Sequence, residues 1–115
     1  MKGRITDKVR VQHILECIEE IQASIGSQTY ADFQRDNMLR RTLERCLEII
    51  GEAAHHISEE TKMNYTDIDW INIKGLRNNI THEYWGVDYK KIWEASTVLI
   101  KLLKPQMEEI FNKLN

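Results

Sequence analysis

Apolar residues in this chain recur at steps of three and four, and almost nowhere in alternation. Val11, Ile14, Leu15, Ile18, Ile21 and Ile25 form the first such series. That spacing keeps them on one side of a 3.6-residue helix and predicts an amphipathic first helix. Thr6 or Asp7 can cap its start and Gly26 can end it. A turn over 26–29 leads to a short helical turn over 30–33. A long second helix is predicted from about Asp36 to Ser58. Its buried stripe is Leu39, Leu43, Cys46, Leu47, Ile50, Ala53, Ala54 and Ile57. Gly51 lies inside it, at a cost of about 1 kcal/mol against alanine. Close packing of the small run Gly51, Ala53, Ala54 against another helix would offset that cost.

Residues 61–69 read as polar and irregular. Asp69 can cap a third helix that begins at Trp70 and carries Ile73, Leu76 and Ile80, with Gly86 at or beyond its end. Asp88 can cap a last helix bearing Ile92, Trp93, Leu99, Leu102 and Leu103. Pro105 should kink or split that helix, because it removes a backbone donor and crowds the preceding turn. Met107, Ile110, Phe111 and Leu114 then resume the stripe. There is no alternating Val/Ile/Thr run of useful length and no Asn-Gly or Asp-Gly hairpin signal. The fold class is therefore all-α, an up-and-down bundle of four or five helices. With no repeat, low-complexity tract or linker, the 115 residues suit one domain over 1–115.

Composition sharpens this picture. Hydrophobic residues make up 42% and charged residues 30%, the balance of a soluble globular protein. The net charge of -2 provides no global basic field, so any polyanion site must be a local patch. No apolar run approaches the roughly 20 residues that cross a bilayer. The N-terminal residues lack a signal-peptide apolar stretch, so a cytoplasmic location is expected. Cys17 and Cys46 sit among apolar neighbours outside any Cys-x-x-Cys pair, which suits two buried, reduced thiols.

One stretch does not fit an ordinary helix. Residues 77–84 read Arg-Asn-Asn-Ile-Thr-His-Glu-Tyr. On a wheel with Arg77 at zero and steps of about 100°, Ile73, Leu76 and Ile80 fall within roughly 260–320°, the arc facing the bundle. Tyr84 and Arg77 take its shoulders, near 340° and 0°. Asn78 and His82 fall near 100° and 140°, away from the core. His82 is thus not needed by the fold, and it diverges from Arg77 by roughly 140°. For both to serve one reacting group, either the helix unwinds before His82 or a second copy of the chain contributes. A two-fold dimer, the commonest homo-oligomer, is the expected solution. A plainer reading has Arg77 and Asn78 satisfying the last helix carbonyls, with Tyr84 and Trp85 as core or rim residues.

With Arg77, then His82 five residues on, then Tyr84, and Asn78 as the polar residue after the arginine, the stretch resembles the signature of HEPN-domain ribonucleases of the HepT type. The surroundings resemble that family too. Leu-Glu-Ile-Ile-Gly-Glu-Ala-Ala over 47–54 is similar to its central helix. Asp69-Trp70 with Gly75-Leu76-Arg77-Asn78, and His82-Glu83-Tyr84-Trp85-Gly86-Val87-Asp88-Tyr89 with Ile92-Trp93, resemble its flanks. One departure is Asp69, where many relatives have proline; aspartate is a competent cap. The resemblance implies an all-α HEPN-like homodimer that acts as the toxin of a toxin–antitoxin module. Its partner would be a nucleotidyltransferase antitoxin of the MNT type, which transfers AMP from ATP onto the motif tyrosine, here Tyr84.

The chemistry of the residues suits that implication. RNA carries its own nucleophile, the 2′-hydroxyl. Cleavage without metal or cofactor needs a base, an acid and positive charge for the phosphorane. Histidine titrates near neutrality, which suits His82 to proton transfer. Arginine stays charged and donates in pairs, which suits Arg77 to the phosphate. Asn78 would orient one of them or donate to a phosphate oxygen. Arg40, Arg41, Arg45 and Lys74, with Lys90 and Lys91, are candidate phosphate contacts, and Trp85 could stack a base. The bland reading of those charges is a solvated face, with Arg40 and Glu44 as an i,i+4 pair.

Two other functional classes stay open. Glu52-Ala-Ala-His55 has the spacing of a di-iron bundle, but no second Glu-x-x-His accompanies it. His13 and Cys17 are a lone pair four apart. The same bundle could also be a non-catalytic adaptor that binds a nucleotidyltransferase or RNA. Cleavage in chelator separates these readings.

Overall fold

The computed structural model describes residues 6–81 and 88–114, and for 77–81 the backbone alone. The chain forms α1 (Asp7–Ile25), α2 (Tyr30–Arg35), α3 (Asn37–His56), α4 (Glu59–Asn64), α5 (Trp70–Thr81), α6 (Tyr89–Glu94) and α7 (Ile100–Lys113). A single π-helical turn, Ala95–Leu99, joins α6 to α7 without a break. No strand occurs among the described residues. The architecture is an all-α helical bundle.

Helix α3 is its axis. All eight residues of the predicted stripe, Leu39 to Ile57, are buried, and so is Gly51. α3 packs on α1 along one flank and on α5 along another, while α7 closes the bundle against α1. Val11, Ile14, Ile18 and Ile21 of α1 meet this core with no exposed surface. So do Ile100, Met107 and Ile110 of the last helix. Cys17 and Cys46 are free and buried, and their side chains face each other across the α1–α3 contact. Among the described residues no helix is long and apolar enough to cross a membrane.

Capping residues set the helix starts. Thr6 accepts from the Val9 amide, Asp36 from Leu39, Asp69 from Asn72, and Asp88 from Lys90 and Lys91. Gly26 ends α1 at φ 51°, a left-handed conformation that costs a glycine nothing sterically. Pro105 does not split the last helix, which runs on to Lys113. Lys101, whose carbonyl loses its partner, lies on the solvent side with Pro105. Water can satisfy that carbonyl there. The departure from α geometry lies upstream, where the Ile100 amide reaches the Ala95 carbonyl five residues back. Leu102, placed by periodicity in the stripe, is instead 64% exposed.

The stretch expected to be irregular begins with helix α4. Ser58 caps it, and the acidic Glu59 and Glu60 occupy the first turn, where they suit the helix dipole. Asp7 ties this helix to the start of α1. Its carboxylate accepts from the Ser58 amide at 3.0 Å, the Ser58 hydroxyl at 2.5 Å and the Thr61 hydroxyl at 2.6 Å. Burial opposes the charged form of Asp7, but these hydrogen bonds and the charge of Arg10 outweigh it and hold the carboxyl below its ordinary range. Asp7→Ala should cost on the order of 1–2 kcal/mol, discounted for partial exposure. Because the folded pKa is the lower one, this contribution is complete above about pH 4 and is lost as the pH falls below it. Thermal unfolding of both proteins at pH 7 and at pH 3 measures it: the gap should be clear at pH 7 and shrink at pH 3. Equal gaps would show that the charge of Asp7 is irrelevant.

Candidate active site

Helix α5 carries the start of the candidate motif. Asp69 fixes its first turn, and the Trp70 indole donates to the Tyr65 carbonyl at 3.0 Å, so the entry to the helix is held at two points. Ile73 and Leu76 are buried against the core, and α5 packs along α3. Arg77 and Asn78 belong to the backbone of this helix, which stays regular through Thr81. The side chains of Arg77, Asn78 and Ile80, and the whole of His82, Tyr84, Trp85 and Gly86, lie outside the described residues. One of the two routes considered above is narrowed by this geometry, because no unwinding occurs between Arg77 and Thr81.

The basic candidates do not form one patch. The Arg40 guanidinium is committed to the bundle. It donates to the carbonyls of Phe33 at 3.1 Å and Gln34 at 2.5 Å and to the side chain of Asn37, and it sits 4.8 Å from the centre of the Tyr89 ring. It thus braces the end of α2 against α3 and α6. It does not hydrogen-bond to Glu44, the i,i+4 partner considered from sequence. Burial raises the Glu44 carboxyl above its ordinary range, against the pull of Arg40 and Arg41. Arg41 is exposed. Arg45 pairs with Glu48 at 2.8 Å and borders a groove of about 340 Å³ between α1 and α3, together with Arg10, His13 and Glu52.

Lys74 lies at the other end of α3, beside His55. Fifteen residues separate Arg40 from His55, about 22 Å along the helix. The exposed His55 ring titrates below its ordinary range, through slight desolvation and then the charges of Lys74, His56 and Lys62. His55, Lys62, Trp70 and Lys74 line a cleft of about 680 Å³ between α4 and α5, with Met63 and Ile71 exposed at its edge. Lys90 and Lys91 are exposed at the start of α6.

Glu52 and His55 gain no second Glu-x-x-His to complete a di-iron set. Glu52 meets His56 at 3.2 Å, and both histidines are exposed. Cys17 is turned inward to Cys46 while His13 is exposed. Among the described residues no three His, Cys, Asp or Glu side chains converge as a metal site would require. The Asp7–Ser58–Thr61 tie and the structural role of Arg40 were absent from the sequence reading. The signal for the first was Ser58 followed by two glutamates, a helix-start pattern. Arg40 binds main-chain carbonyls, which no residue letter announces.

Comparison with known proteins gives this arrangement a context. The profile of the family described as "Ribonuclease HepT-like" matches residues 14–110. A protein of Caldanaerobacter subterraneus subsp. tengcongensis, provisionally named an RNase, is 35% identical over 108 residues, 94% of this chain and 96% of its own length. A provisionally named RNase of Methanocaldococcus jannaschii is 30% identical over 107 residues, 93% of this chain and 88% of its own. A provisionally named ribonuclease HepT of Thermococcus cleftensis is 31% identical over 100 residues, 87% of this chain and 91% of its own. No solved structure matches. The family profile spans most of the bundle and contains α5 whole, and a relative aligns over more than nine-tenths of both chains, so this chain belongs to the HepT-like ribonuclease family.

Proposed function

We propose that this protein is a metal-independent endoribonuclease and the toxin of a cytoplasmic toxin–antitoxin pair. The observation that carries this reading is the complete run of Arg77, Asn78, His82 and Tyr84, starting within α5 of a chain that belongs to a ribonuclease family. His82 moves the proton of the attacking 2′-hydroxyl or of the leaving 5′-oxygen. Arg77 binds the phosphate and stabilises the charge that builds on it. Asn78 positions one of the two or donates to a phosphate oxygen. The 2′-oxygen attacks phosphorus as the bond to the 5′-oxygen breaks, leaving a 2′,3′-cyclic phosphate and a 5′-hydroxyl.

The regular course of α5 through Thr81 supports a site completed by a second subunit, because it leaves Arg77 no unwound turn before Thr81 by which to approach His82. Arg41 and Lys74 are exposed candidates for holding RNA outside the site, as are Lys90 and Lys91, and Arg45 is available when its exposed pair with Glu48 opens. Purified protein incubated with RNA in chelator tests the reading. Cleavage with cyclic-phosphate ends is expected. Cleavage only after metal is added would overturn metal independence, and no cleavage with tight partner binding would favour the adaptor.

The antitoxin in this reading is an MNT-type nucleotidyltransferase that places AMP on Tyr84. An added phosphate and nucleoside two residues from His82 would repel and block the RNA backbone. Tyr84→Phe should therefore remain toxic when co-expressed with the active transferase, while the wild type is silenced. Equal silencing of the two proteins would remove modification of Tyr84 as the route.

A further inference from the structure

The backbone of α5 is regular from Trp70 to Thr81. Steps of four and then three residues therefore place Trp70, Lys74 and Arg77 on one face, within roughly 60° of one another. At its Trp70 end this face opens into the cleft of about 680 Å³ between α4 and α5. The half-buried Trp70 indole forms a fixed wall there, held by its donation to the Tyr65 carbonyl at 3.0 Å. Met63 and Ile71 line the cleft while 73% and 84% exposed. Side chains able to carry positive charge reach it from three helices: Lys62 of α4, whose ammonium lies 5.9 Å from the centre of the Trp70 ring, exposed Lys74 of α5, and His55 of α3. The charges of both lysines bear on the His55 ring and oppose its protonation. An immobile aromatic ring beside aliphatic side chains offers a base something to stack on, and converging cations offer its phosphate a partner.

We infer that this cleft holds one unpaired nucleotide of an RNA strand that runs along α5 towards Arg77. The base lies among Trp70, Met63 and Ile71, and its phosphate meets Lys74. Trp70 and Arg77 are seven residues apart, about 10 Å along the axis, the length of about three stacked nucleotides. Three carboxylates share the cleft. Asp69 accepts from the Asn72 amide as the cap of α5, and Glu59 sits 4.0 Å from the Lys62 ammonium. Exposed Asp67 has no hydrogen bond or ion pair among the described residues. It is left to accept from the amino group of a base, as a carboxylate does from cytosine. That the strand continues to a reaction at Arg77 rests on the ribonuclease reading above; the binding itself rests on the cleft.

Binding of a 2′-O-methyl oligocytidine, which lacks the nucleophile and cannot be cut, tests the subsite on the full chain. Fluorescence anisotropy should show saturable binding by the wild type. Ile71→Glu, a change at an exposed position that leaves the core intact, should raise the dissociation constant by roughly fivefold or more. Lys74→Ala should lower the slope of log Kd against log salt by about 0.7, a readout that a merely structural role would not move. Oligouridine should bind roughly fivefold more weakly than oligocytidine, a preference lost in Asp67→Ala. Irradiating an oligocytidine that carries one 5-iodocytosine should attach it within residues 59–74 of the wild type. No binding, adducts confined to other segments, or variants that bind as the wild type does would overturn the subsite. Cleavage of natural RNA separates the two readings. A wild type that binds and crosslinks as expected but cuts no RNA would leave the subsite standing and remove the ribonuclease. A wild type that cuts RNA, with cleft variants that bind the oligocytidine equally well, would leave the ribonuclease standing and remove the subsite.

Discussion

Replacing His82 by alanine is expected to lower RNA cleavage by roughly 10²–10⁴-fold, the range that a positioned proton-transfer group contributes. The argument is chemical. A 2′-hydroxyl is a poor nucleophile until its proton is taken, and a 5′-alkoxide is a poor leaving group until it gains one. Imidazole is the side chain that can hold or release a proton near neutral pH. Arg77→Ala should cost a comparable factor, because the phosphorane loses the fixed charge that offsets its own. Arg77→Lys should recover only part of that, since an ammonium lacks the planar pair of donors that fits a phosphate. Single-turnover cleavage of a labelled RNA in chelator measures all three. Full activity in either alanine variant would remove that residue from the mechanism.

The largest expected loss of stability comes from Phe33→Ala. Phe33 is the one large side chain of α2 that is fully buried. Its ring lies 5.9 Å from Tyr30, 5.3 Å from Trp93 and 6.0 Å edge-on from Tyr89. It therefore joins a six-residue helix, too short to hold itself, to the helix that follows the motif. Truncation opens a cavity among three rings that cannot collapse inward together, which should cost about 3–5 kcal/mol. The melting temperature should fall by roughly 10–25 °C for a chain of this size. Phe33→Leu should lose distinctly less because it fills much of the same volume. A loss below about 1 kcal/mol for the alanine variant would mean that α2 repacks freely.

What the chain disclosed in advance divides along physical lines. Periodicity located α1, α3, α5 and the last helix because each buries a long stripe, and stripes are written in residue type. The caps Asp69 and Asp88, and Thr6 as one of two candidates, were legible because a short polar side chain before an apolar series has few other uses. Helix α4 was not legible: in six residues only Thr61 is buried, so no apolar period exists to read. Leu102 misled because periodicity assigns a face but not what covers that face. Arg40 reads as a phosphate contact or a partner of Glu44, because its actual partners include carbonyls of the preceding helix. Of the motif, the residue types and their chemistry were legible in Arg77, His82 and Tyr84. In the proposed site Arg77 meets His82 across a neighbouring copy, which one chain's periodicity does not describe.

The most direct test of the central claim is subunit mixing. Arg77→Ala and His82→Ala proteins, each inactive alone, are dissociated, combined in equal amounts and reassociated before RNA cleavage is measured. If the cation of one subunit works with the imidazole of the other, half of the dimers are mixed and each contains one intact site. About a quarter of wild-type activity should then return. Activity no higher than that of the separate variants would show that Arg77 and His82 act within one chain, and the shared cleft would have to be abandoned.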